Sequence, residues 1–155
     1  MRDPSKPRAL TIHLPRKSEF AVDTDQMSVP VLGDVAAGIG TLAQENVSDE
    51  SIYIPKRLGV PGTLFALRVK GDSMIGDGIL ANDIIVARQQ ANATTGEIVV
   101  AGIFDQSEAT VKRVEFDFGR NLISLIPSNP NYSPMVFNTD EVQIYGKVVY
   151  LQREY

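Results

Sequence analysis

A chain of 155 residues is long enough for one domain with its own hydrophobic core and at most a short tail. Hydrophobic residues make up 43% of it, and no apolar run approaches the ~18 residues that a membrane-spanning helix needs. The chain has no cysteine and no apolar signal segment near its N-terminus. These absences exclude thiol catalysis and thiolate metal sites, and they lead us to expect a cytoplasmic protein.

The net charge of −4 is unevenly distributed along the sequence. The first twenty residues carry five basic and two acidic side chains, so the acidic excess lies in the rest of the chain. Because nucleic-acid affinity depends on Lys and Arg, the acidic part is not expected to bind DNA. Four of the nine prolines fall within the first thirty residues, so residues 1–28 are predicted to form an extended arm or linker. The basic side chains of this arm suit a solvated linker better than direct contact with nucleic acid.

From Val29 onward, short apolar runs alternate with turn signals. The runs are VPVLGDVA, SIYIP, TLFALRVKG, DIIVARQ, GEIVVAGIF, EATVKRVEF, NLISLIP and VQIYGKVVYLQ. Short runs bounded by Gly, Pro, Asn and Asp indicate strands, and their close spacing favours a β-sandwich or barrel-like sheet over βαβ units. Only SDESIYIPKRLG and DSMIGDG could hold a helical turn. The predicted fold is therefore mostly β, a compact sandwich or barrel in residues 29–155.

The segment LRVKGDSM places Ser73 after a turn glycine, where the end of a strand would present it. A serine hydroxyl is a weak nucleophile until a base removes its proton. The only histidine, His13, lies in the arm, where no scaffold would hold it within hydrogen-bond reach, so the base would be a lysine or a carboxylate. Backbone N–H groups of Asp72 and Ser73 would then form an oxyanion hole. A Gly-Asp-Ser tripeptide can also be a simple chain turn.

Lys112 is the candidate base because of its position in EATVKRVEFD. Side chains of a strand alternate between its faces, so Lys112 shares a face with Val114 and Phe116 that is expected to be buried. Burial disfavours the charged ammonium and lowers the pKa of a lysine, and a neutral amine can accept a serine proton. The alternative is a lysine with a covered stem whose ammonium reaches solvent.

Together these segments resemble LexA-type repressors and their self-cleaving relatives, over about four-fifths of the chain. The order of the motifs carries the resemblance: VPVLGDVAAGIG is similar to the cleavage region, LRVKGDSM to the nucleophile segment and ATVKRV to the general-base segment. The segments GILANDIIVARQQ, TGEIVVA, LIPSNPNYSPMVF and VQIYGKVVYLQRE are similar to the remaining strands. The resemblance implies a LexA- and signal-peptidase-like catalytic domain with Ser73 as nucleophile and Lys112 as general base. It places the scissile bond between Ala37 and Gly38, in a cleavage loop at about 34–42.

Small residues surround the implied scissile bond. Side chains as small as those of Ala37 and Gly38 would let an extended segment enter a narrow cleft, and glycine would let the backbone bend into it. Ala-Gly pairs are also common in loops, so a plain strand–turn junction is the alternative.

The sequence departs from the family pattern at two places. Where the family usually has Asp-Gly-Asp, this chain has Ala81-Asn82-Asp83, and Asn82 is expected to keep the turn because Asn tolerates the left-handed conformation. The family's repressors carry an N-terminal winged helix–turn–helix domain, and we expect it to be absent because RDPSKPRAL resembles the segment that follows it. A LexA-type role is therefore preferred. The alternative is a UmuD-like polymerase subunit, which has only a short arm before its cleavage site.

The resemblance also implies partners and regulation. In the family, a RecA filament on single-stranded DNA stimulates self-cleavage, which inactivates repression in the SOS response to DNA damage. Operator DNA would be bound only through the absent domain, and no cofactor or metal is implied. The family pairs through its closing strands, and an exposed apolar edge in VQIYGKVVYLQRE would favour a homodimer. A protected internal strand is the alternative for this segment.

Two other classes of function are alternatives for this sequence. In a binding module without catalysis, Ser73 and Lys112 would be structural and the acidic body would bind other proteins. A metal enzyme would use Asp72, Asp77 and Asp83, but aspartate is common in turns and no histidine supports a metal site.

Overall fold

The computed structural model describes residues 25–33, 47–56, 62–106 and 108–155. In chain order the strands are β1 Gln26–Leu32, β2 Val47–Pro55, β3 Leu64–Arg68, β4 Ile84–Gln89, β5 Ile98–Ile103, β6 Thr110–Asp117, β7 Leu122–Ile126, β8 Met135–Asn138 and β9 Val142–Gln152. Two single turns of 3₁₀ helix, Ile75–Asp77 and Thr139–Glu141, lie between strands. Of the helices described, none has the length and apolar character to cross a membrane. The prediction of a mostly β fold is confirmed.

All nine described strands belong to one sheet, in the order β2-β1-β3-β4-β9-β5-β6-β7-β8. Every pairing is antiparallel except that of β1 with β3. The register is interrupted between β1 and β2, between β4 and β9, and between β5 and β9. Such irregularities bend strands and increase the local twist, which allows a sheet of this width to cover cores on both faces.

Both faces of the central strands are buried. On β3, Leu64 and Ala66 pack in one hydrophobic cluster, whereas Phe65 and Leu67 pack in another. Strand β4 is divided between the same two clusters, and a third cluster joins β5, β6, β7 and β9. Burial of both faces explains why LFALR and IIVARQ are nearly continuous apolar runs rather than alternating ones.

The predicted strands agree with the structure in position. Each of the eight predicted runs contains a strand, although β1 begins at Gln26 rather than at Val29. The apolar runs do not mark strand β8, because MVFN is short and follows a turn rich in proline and asparagine, and only the family resemblance includes MVF in a strand segment. In the segment SDESIYIPKRLG, residues 48–55 belong to β2 and Lys56 has a 3₁₀ conformation, and DSMIGDG contains a 3₁₀ turn.

Strand β9 lies inside the sheet, between β4 and β5. The expectation that this strand forms an exposed edge is therefore wrong for residues 142–147, which pair with β5. Residues 148–152 pair with β4, and within the described ranges no strand pairs with their other side. All six residues from 147 to 152 are only partly buried. The strand is internal at its start and open on one side at its end.

Candidate active site

The segment that carries Ser73 leaves the end of β3 and turns sharply. The pairing of β3 with β4 continues into this segment, because Val69 N donates to Asp83 O at 2.8 Å and Asn82 N donates to Val69 O at 2.9 Å. Gly71 then takes φ 78°, in the left-handed region that favours glycine. The turn predicted before Ser73 is confirmed.

The loop between β7 and β8 holds this nucleophile segment in place. Ser128 N donates to Ser73 O at 2.8 Å, and Gly76 N donates to Ser128 O at 2.7 Å. Asn129, which is 5% exposed, donates from Nδ2 to Asp72 O at 3.0 Å. A Cβ atom at Gly76 would clash with the Ser128 carbonyl oxygen, so only glycine permits this close approach. A distant part of the sequence therefore sets the position of the nucleophile segment.

Lys112 lies on β6 with its side chain directed inward. It is 9% exposed, and Val114 on the same face is fully buried, as the strand pattern predicts. Nζ of Lys112 donates to Thr110 Oγ1 at 2.7 Å. Burial lowers the pKa of Lys112 because the charged ammonium loses its hydration. The predicted burial and the predicted direction of the pKa are confirmed.

Ser73 and Lys112 line one pocket of about 210 Å³. Gly33, the residue directly after β1, lines the same pocket. The parallel pairing explains this arrangement: Leu32 pairs with Leu67, so the chains that continue from β1 and β3 leave the sheet at the same end. The pocket thus brings the two predicted catalytic residues together with the residue that precedes segment 34–46.

Of the remaining predicted site residues, some lie outside the described ranges and others are described. Ala37, Gly38 and His13 lie outside the described residues. The backbone N–H groups of Asp72 and Ser73 have no intramolecular acceptor within the described part of the chain. Both donors thus lack an acceptor among the described residues, and one of them belongs to Ser73, which lines the pocket.

The three aspartates weighed as metal ligands each have a protein partner. Asp72 accepts a hydrogen bond from Tyr132 Oη at 2.5 Å, and Asp77 forms an ion pair with Arg113 at 2.7 Å. Asp83 is paired with an arginine near the C-terminus. Within the described ranges, no group of three or more His, Cys, Asp or Glu side chains is arranged to hold a metal ion.

Asp83 and Arg153 form a bidentate ion pair in which the carboxylate is buried and the guanidinium is partly exposed. Asp83 is 1% exposed, and Nε and Nη2 of Arg153 each donate to one carboxylate oxygen at 2.6 Å. Nη2 also donates to Gly78 O at 2.8 Å, and Leu80 N donates to Asp83 Oδ2 at 2.7 Å. The hydrogen bond from Arg153 is the main cause that holds the pKa of Asp83 below its usual value. Asn82 takes φ 75°, so the turn expected in place of Asp-Gly-Asp is confirmed.

Comparison with known proteins identifies the family. The Peptidase S24-like family matches residues 30–149. The chain belongs to the Peptidase S24-like family. It is 46% identical over 154 residues to a LexA repressor of Carboxydothermus hydrogenoformans, covering 99% of this chain and 71% of that protein. It is 44% identical over 152 residues to a LexA repressor of Syntrophomonas wolfei, covering 98% of this chain and 70% of that protein.

A LexA repressor of Desulforamulus reducens is 42% identical to the chain over 165 residues, covering 99% of this chain and 74% of that protein. These relatives confirm the resemblance to LexA-type repressors. Peptidase S24 is a serine peptidase family, so serine-based hydrolysis is the chemistry associated with this family.

Sequence reasoning missed the residues that hold this S24-like site in place. Thr110 looks like an ordinary strand residue, Asn129 like a turn former, and Arg153 like a solvated charge near the C-terminus. Asn129 and Arg153 were missed because their partners are distant in sequence: Asn129 lies 57 positions from Asp72, and Arg153 lies 70 positions from Asp83. The burial of a polar residue in a turn depends on its tertiary contacts, so it is recognised only once the fold is known.

Proposed function

We propose that this chain is the self-cleaving part of a LexA-type repressor, a latent serine–lysine peptidase that hydrolyses its own Ala37-Gly38 bond. The observation that carries the proposal is the pocket in which Ser73 and the buried Lys112 lie together beside Gly33. Similarity to LexA repressors over nearly the whole chain supports it. In this proposal, the linker expected at residues 1–28 ends where β1 begins at Gln26, and the rest of the chain to residue 155 is the peptidase and dimerisation domain.

The chemistry is acyl transfer. Neutral Lys112 takes the proton of Ser73 Oγ, which attacks the carbonyl carbon of Ala37. The N–H groups of Asp72 and Ser73 donate hydrogen bonds to the oxyanion that forms. Protonated Lys112 then gives its proton to the amine of Gly38, which leaves. Water, deprotonated by the same lysine, hydrolyses the ester and restores the serine.

The burial of Lys112 supports its role as the base. A solvated lysine is almost fully protonated near neutral pH and cannot accept a proton. Desolvation lowers the pKa of Lys112, so a larger fraction of the amine is neutral at a given pH. The Thr110 hydroxyl accepts a hydrogen bond from Lys112 Nζ and holds the amine on the strand face that lines the pocket.

The proposed scissile bond lies within reach of the pocket. Ala37 follows Gly33 by four positions, and an extended chain spans at most ~3.6 Å per residue, so Ala37 lies within about 14 Å of Gly33. A substrate in the same chain is present at high effective concentration. A modest base is therefore sufficient for a useful rate.

Regulation follows from docking of the cleavage segment. A RecA filament on single-stranded DNA would stabilise the docked state, which is a shift of population and needs no catalytic group from the filament. Cleavage would separate DNA-binding heads from the dimerising body, so operator binding would lose its bivalency and SOS repression would end. The contacts with operator DNA would be made outside residues 29–155. The proposed setting is the bacterial cytoplasm, where operator and filament occur.

The homodimer in this proposal forms through the end of β9. Residues 148–152 have an open side in the described sheet and are only partly buried. An unpaired strand side of this kind favours pairing with a second copy. The contact would use the second half of β9 and leave its first half within the sheet.

Alkaline incubation of the full chain tests the proposed peptidase. We expect mass spectrometry to find residues 1–37 and residues 38–155, at a rate that rises between pH 7 and pH 10. Ser73→Ala and Lys112→Ala should each abolish cleavage while circular dichroism shows a folded protein. Lys70→Ala is the matched control, because Lys70 lines the same pocket but is exposed and paired with Glu108 at 2.7 Å.

Each element of the proposal has a contradicting result. A rate that does not change with pH, or cleavage of Lys112→Ala at the wild-type rate, would argue against the lysine base. Fragments that end elsewhere would move the scissile bond. No cleavage at any pH would favour the binding module without catalysis. A UmuD-like subunit would cleave in the same way, but the three relatives named above are LexA repressors, which favours the repressor role.

A further inference from the structure

We infer that Asn129 is a positioning residue for the oxyanion hole and acts through the peptide bond between Asp72 and Ser73. The inference rests on the proposed function, because it concerns the same serine chemistry. It assigns a task to a buried asparagine of the β7–β8 loop that lies outside the catalytic pair.

The orientation of the Asn129 amide follows from its contacts. Oδ1 accepts a hydrogen bond from Asn131 N at 2.9 Å, so this end of the amide is the acceptor. Nδ2 is then the donor to Asp72 O at 3.0 Å. Asn129 is one of three polar or charged side chains that are buried among the described residues. Because the buried Asn129 amide cannot exchange its partner for bulk water, Nδ2 stays bonded to the Asp72 carbonyl, although Asp72 itself is exposed.

The hydrogen bond on the Asp72 carbonyl also orients the Ser73 N–H. These two groups belong to one planar peptide unit, in which the C=O and the N–H point in opposite directions. When Asn129 holds the carbonyl toward the β7–β8 loop, the Ser73 N–H is directed away from that loop. This N–H has no acceptor in the described part of the chain, so it is free to bind an oxyanion.

The next peptide unit is held from the same loop. Ser128 N donates to Ser73 O at 2.8 Å, and this carbonyl shares a plane with the N–H of Met74. Both peptide planes that flank Ser73 are therefore anchored by Ser128 and Asn129. Since only φ and ψ of Ser73 connect the two planes, the direction of the serine Cβ is fixed together with the N–H.

Loss of the Asn129 side chain should therefore slow self-cleavage measurably. Removing an oxyanion donor typically slows an enzyme by about 10²–10³-fold. Loss of the Asn129 hydrogen bond would leave the Ser73 N–H present but free to rotate out of position. We therefore expect a smaller loss, of about 10- to 100-fold, in the rate of self-cleavage.

The test compares three variants of the full chain by their first-order rates of self-cleavage between pH 7 and pH 10. Asn129→Ala removes the donor. Asn129→Asp keeps the shape and the acceptor for Asn131 N but replaces the donor with a second acceptor. Tyr132→Phe is the matched control, because Tyr132 Oη donates to the side chain of Asp72 at 2.5 Å rather than to its peptide unit.

The expected result is a plateau rate at high pH that is about 10- to 100-fold lower for both Asn129 variants and within about threefold of wild type for Tyr132→Phe. The midpoint of the pH profile of Asn129→Ala should equal that of wild type, because the lysine is unchanged. If Asn129→Ala does not fold, the inference is tested by the plateau rate of the isosteric Asn129→Asp, measured well below the melting temperature of that variant.

Two results would overturn the inference. Folded Asn129 variants that reach the wild-type plateau would show that the hydrogen bond does not position the donor. A shifted midpoint with an unchanged plateau in Asn129→Ala would show that the residue acts on the lysine instead. A wild-type chain that does not cleave at all would overturn the proposed function itself, which is a separate and recognisable outcome.

Discussion

Lys112 Nζ lies 2.7 Å from the hydroxyl oxygen of Thr110, on the same strand and in the same pocket. Residues i and i+2 of a strand project on one side, so β6 supplies the lysine with its own polar partner. No carboxylate among the described residues forms an ion pair with Lys112. The loss of hydration is therefore not offset by a neighbouring anion, which is why burial lowers the pKa of this lysine.

Replacement of Thr110 by valine tests this hydrogen bond. The hydroxyl accepts from the charged amine and stabilises it, so Thr110→Val should lower the pKa of Lys112 further and move the pH–rate profile to lower pH. The plateau rate should fall by about three- to tenfold, because the amine loses its orientation. Cleavage rates followed by mass spectrometry from pH 6 to pH 10 measure both effects. A profile displaced to higher pH would contradict the argument.

Replacement of Lys112 by methionine should stabilise the fold. The pKa of Lys112 is lower in the folded chain than in the unfolded chain, so burying the ammonium opposes folding at neutral pH. This penalty declines as the pH rises through the interval between the two pKa values. Lys112→Met should therefore raise the melting temperature at pH 7 by about 2–4 °C, which corresponds to about 1 kcal/mol, and the gain should shrink toward pH 10.

The matched control for this experiment is Lys147→Met. Lys147 is partly exposed and paired with Glu97 at 2.9 Å, so its replacement removes an ion pair and relieves no buried charge. We expect no gain in melting temperature for it at either pH. A Lys112→Met variant no more stable than wild type at pH 7 would mean that the ammonium reaches solvent in the folded chain.

Local patterns in the sequence predicted the strands and the burial of Lys112. Apolar runs between turn residues mark strands wherever they pair, and a two-residue period assigns each side chain to a face. The pattern of VQIYGKVVYLQ is equally compatible with an edge and an interior strand. Its place between β4 and β5 depends on pairing with residues at least 39 positions away, such as Ile103 with Val142, and no local sequence pattern predicts that pairing.

The same limit applies to the site. Ser73 and Lys112 were found from the chemistry of each segment and from a family resemblance, but their common pocket depends on how the strands are ordered. Gly33 enters that pocket because β1 runs parallel to β3, a pairing between segments separated by another strand. Asn129 was missed because its function depends on a contact with Asp72, while its local sequence indicates only a turn.

Arg153 and Asp83 are expected to contribute unequally to stability. Arg153→Met leaves the Asp83 carboxylate buried without its partner, so this variant should show the larger loss of stability in urea denaturation at pH 7. Asp83→Asn still accepts from Leu80 N, and the arginine side chain, 26% exposed, can regain water, so about 1–2 kcal/mol is expected. Equal losses for the two variants would contradict this asymmetry.

The pH dependence of this pair has a defined sign. Because Arg153 lowers the pKa of Asp83, the ionised carboxylate stabilises the fold above its unfolded pKa, and this stability is lost as the pH falls through the folded value. In Arg153→Met, the orphaned carboxyl should bind a proton more readily. The difference between the variant and wild type should therefore be largest at neutral pH and shrink in acid.

Two glycines beside Ser73 should respond differently to alanine. Gly71 has φ 78° but open space around its Cβ position, so Gly71→Ala should cost about 1 kcal/mol of backbone strain and retain cleavage. A Cβ at Gly76 would meet the Ser128 carbonyl oxygen and push away the loop that anchors the nucleophile segment. Gly76→Ala should slow self-cleavage by at least about tenfold, because the serine loses its fixed position. Equal cleavage by both folded variants would contradict the role of the loop.

The open side of β9 predicts how two copies associate. An aspartate at Val149, within residues 148–152, would place like charges close together at an interface that forms along this side, and it should weaken the dimer by at least about 100-fold. Val136→Asp on the outer strand β8 is the matched control, because Val136 is 57% exposed and lies at the far edge of the sheet. Sedimentation equilibrium at micromolar concentration should show a dimer for wild type and for Val136→Asp, and a folded monomer for Val149→Asp. Circular dichroism checks the fold of this variant, because Val149 packs against the hydrophobic cluster of β1, β2, β3 and β4. If Val136→Asp alone dissociates the dimer, the copies pair through β8, and the partly buried end of β9 has another role.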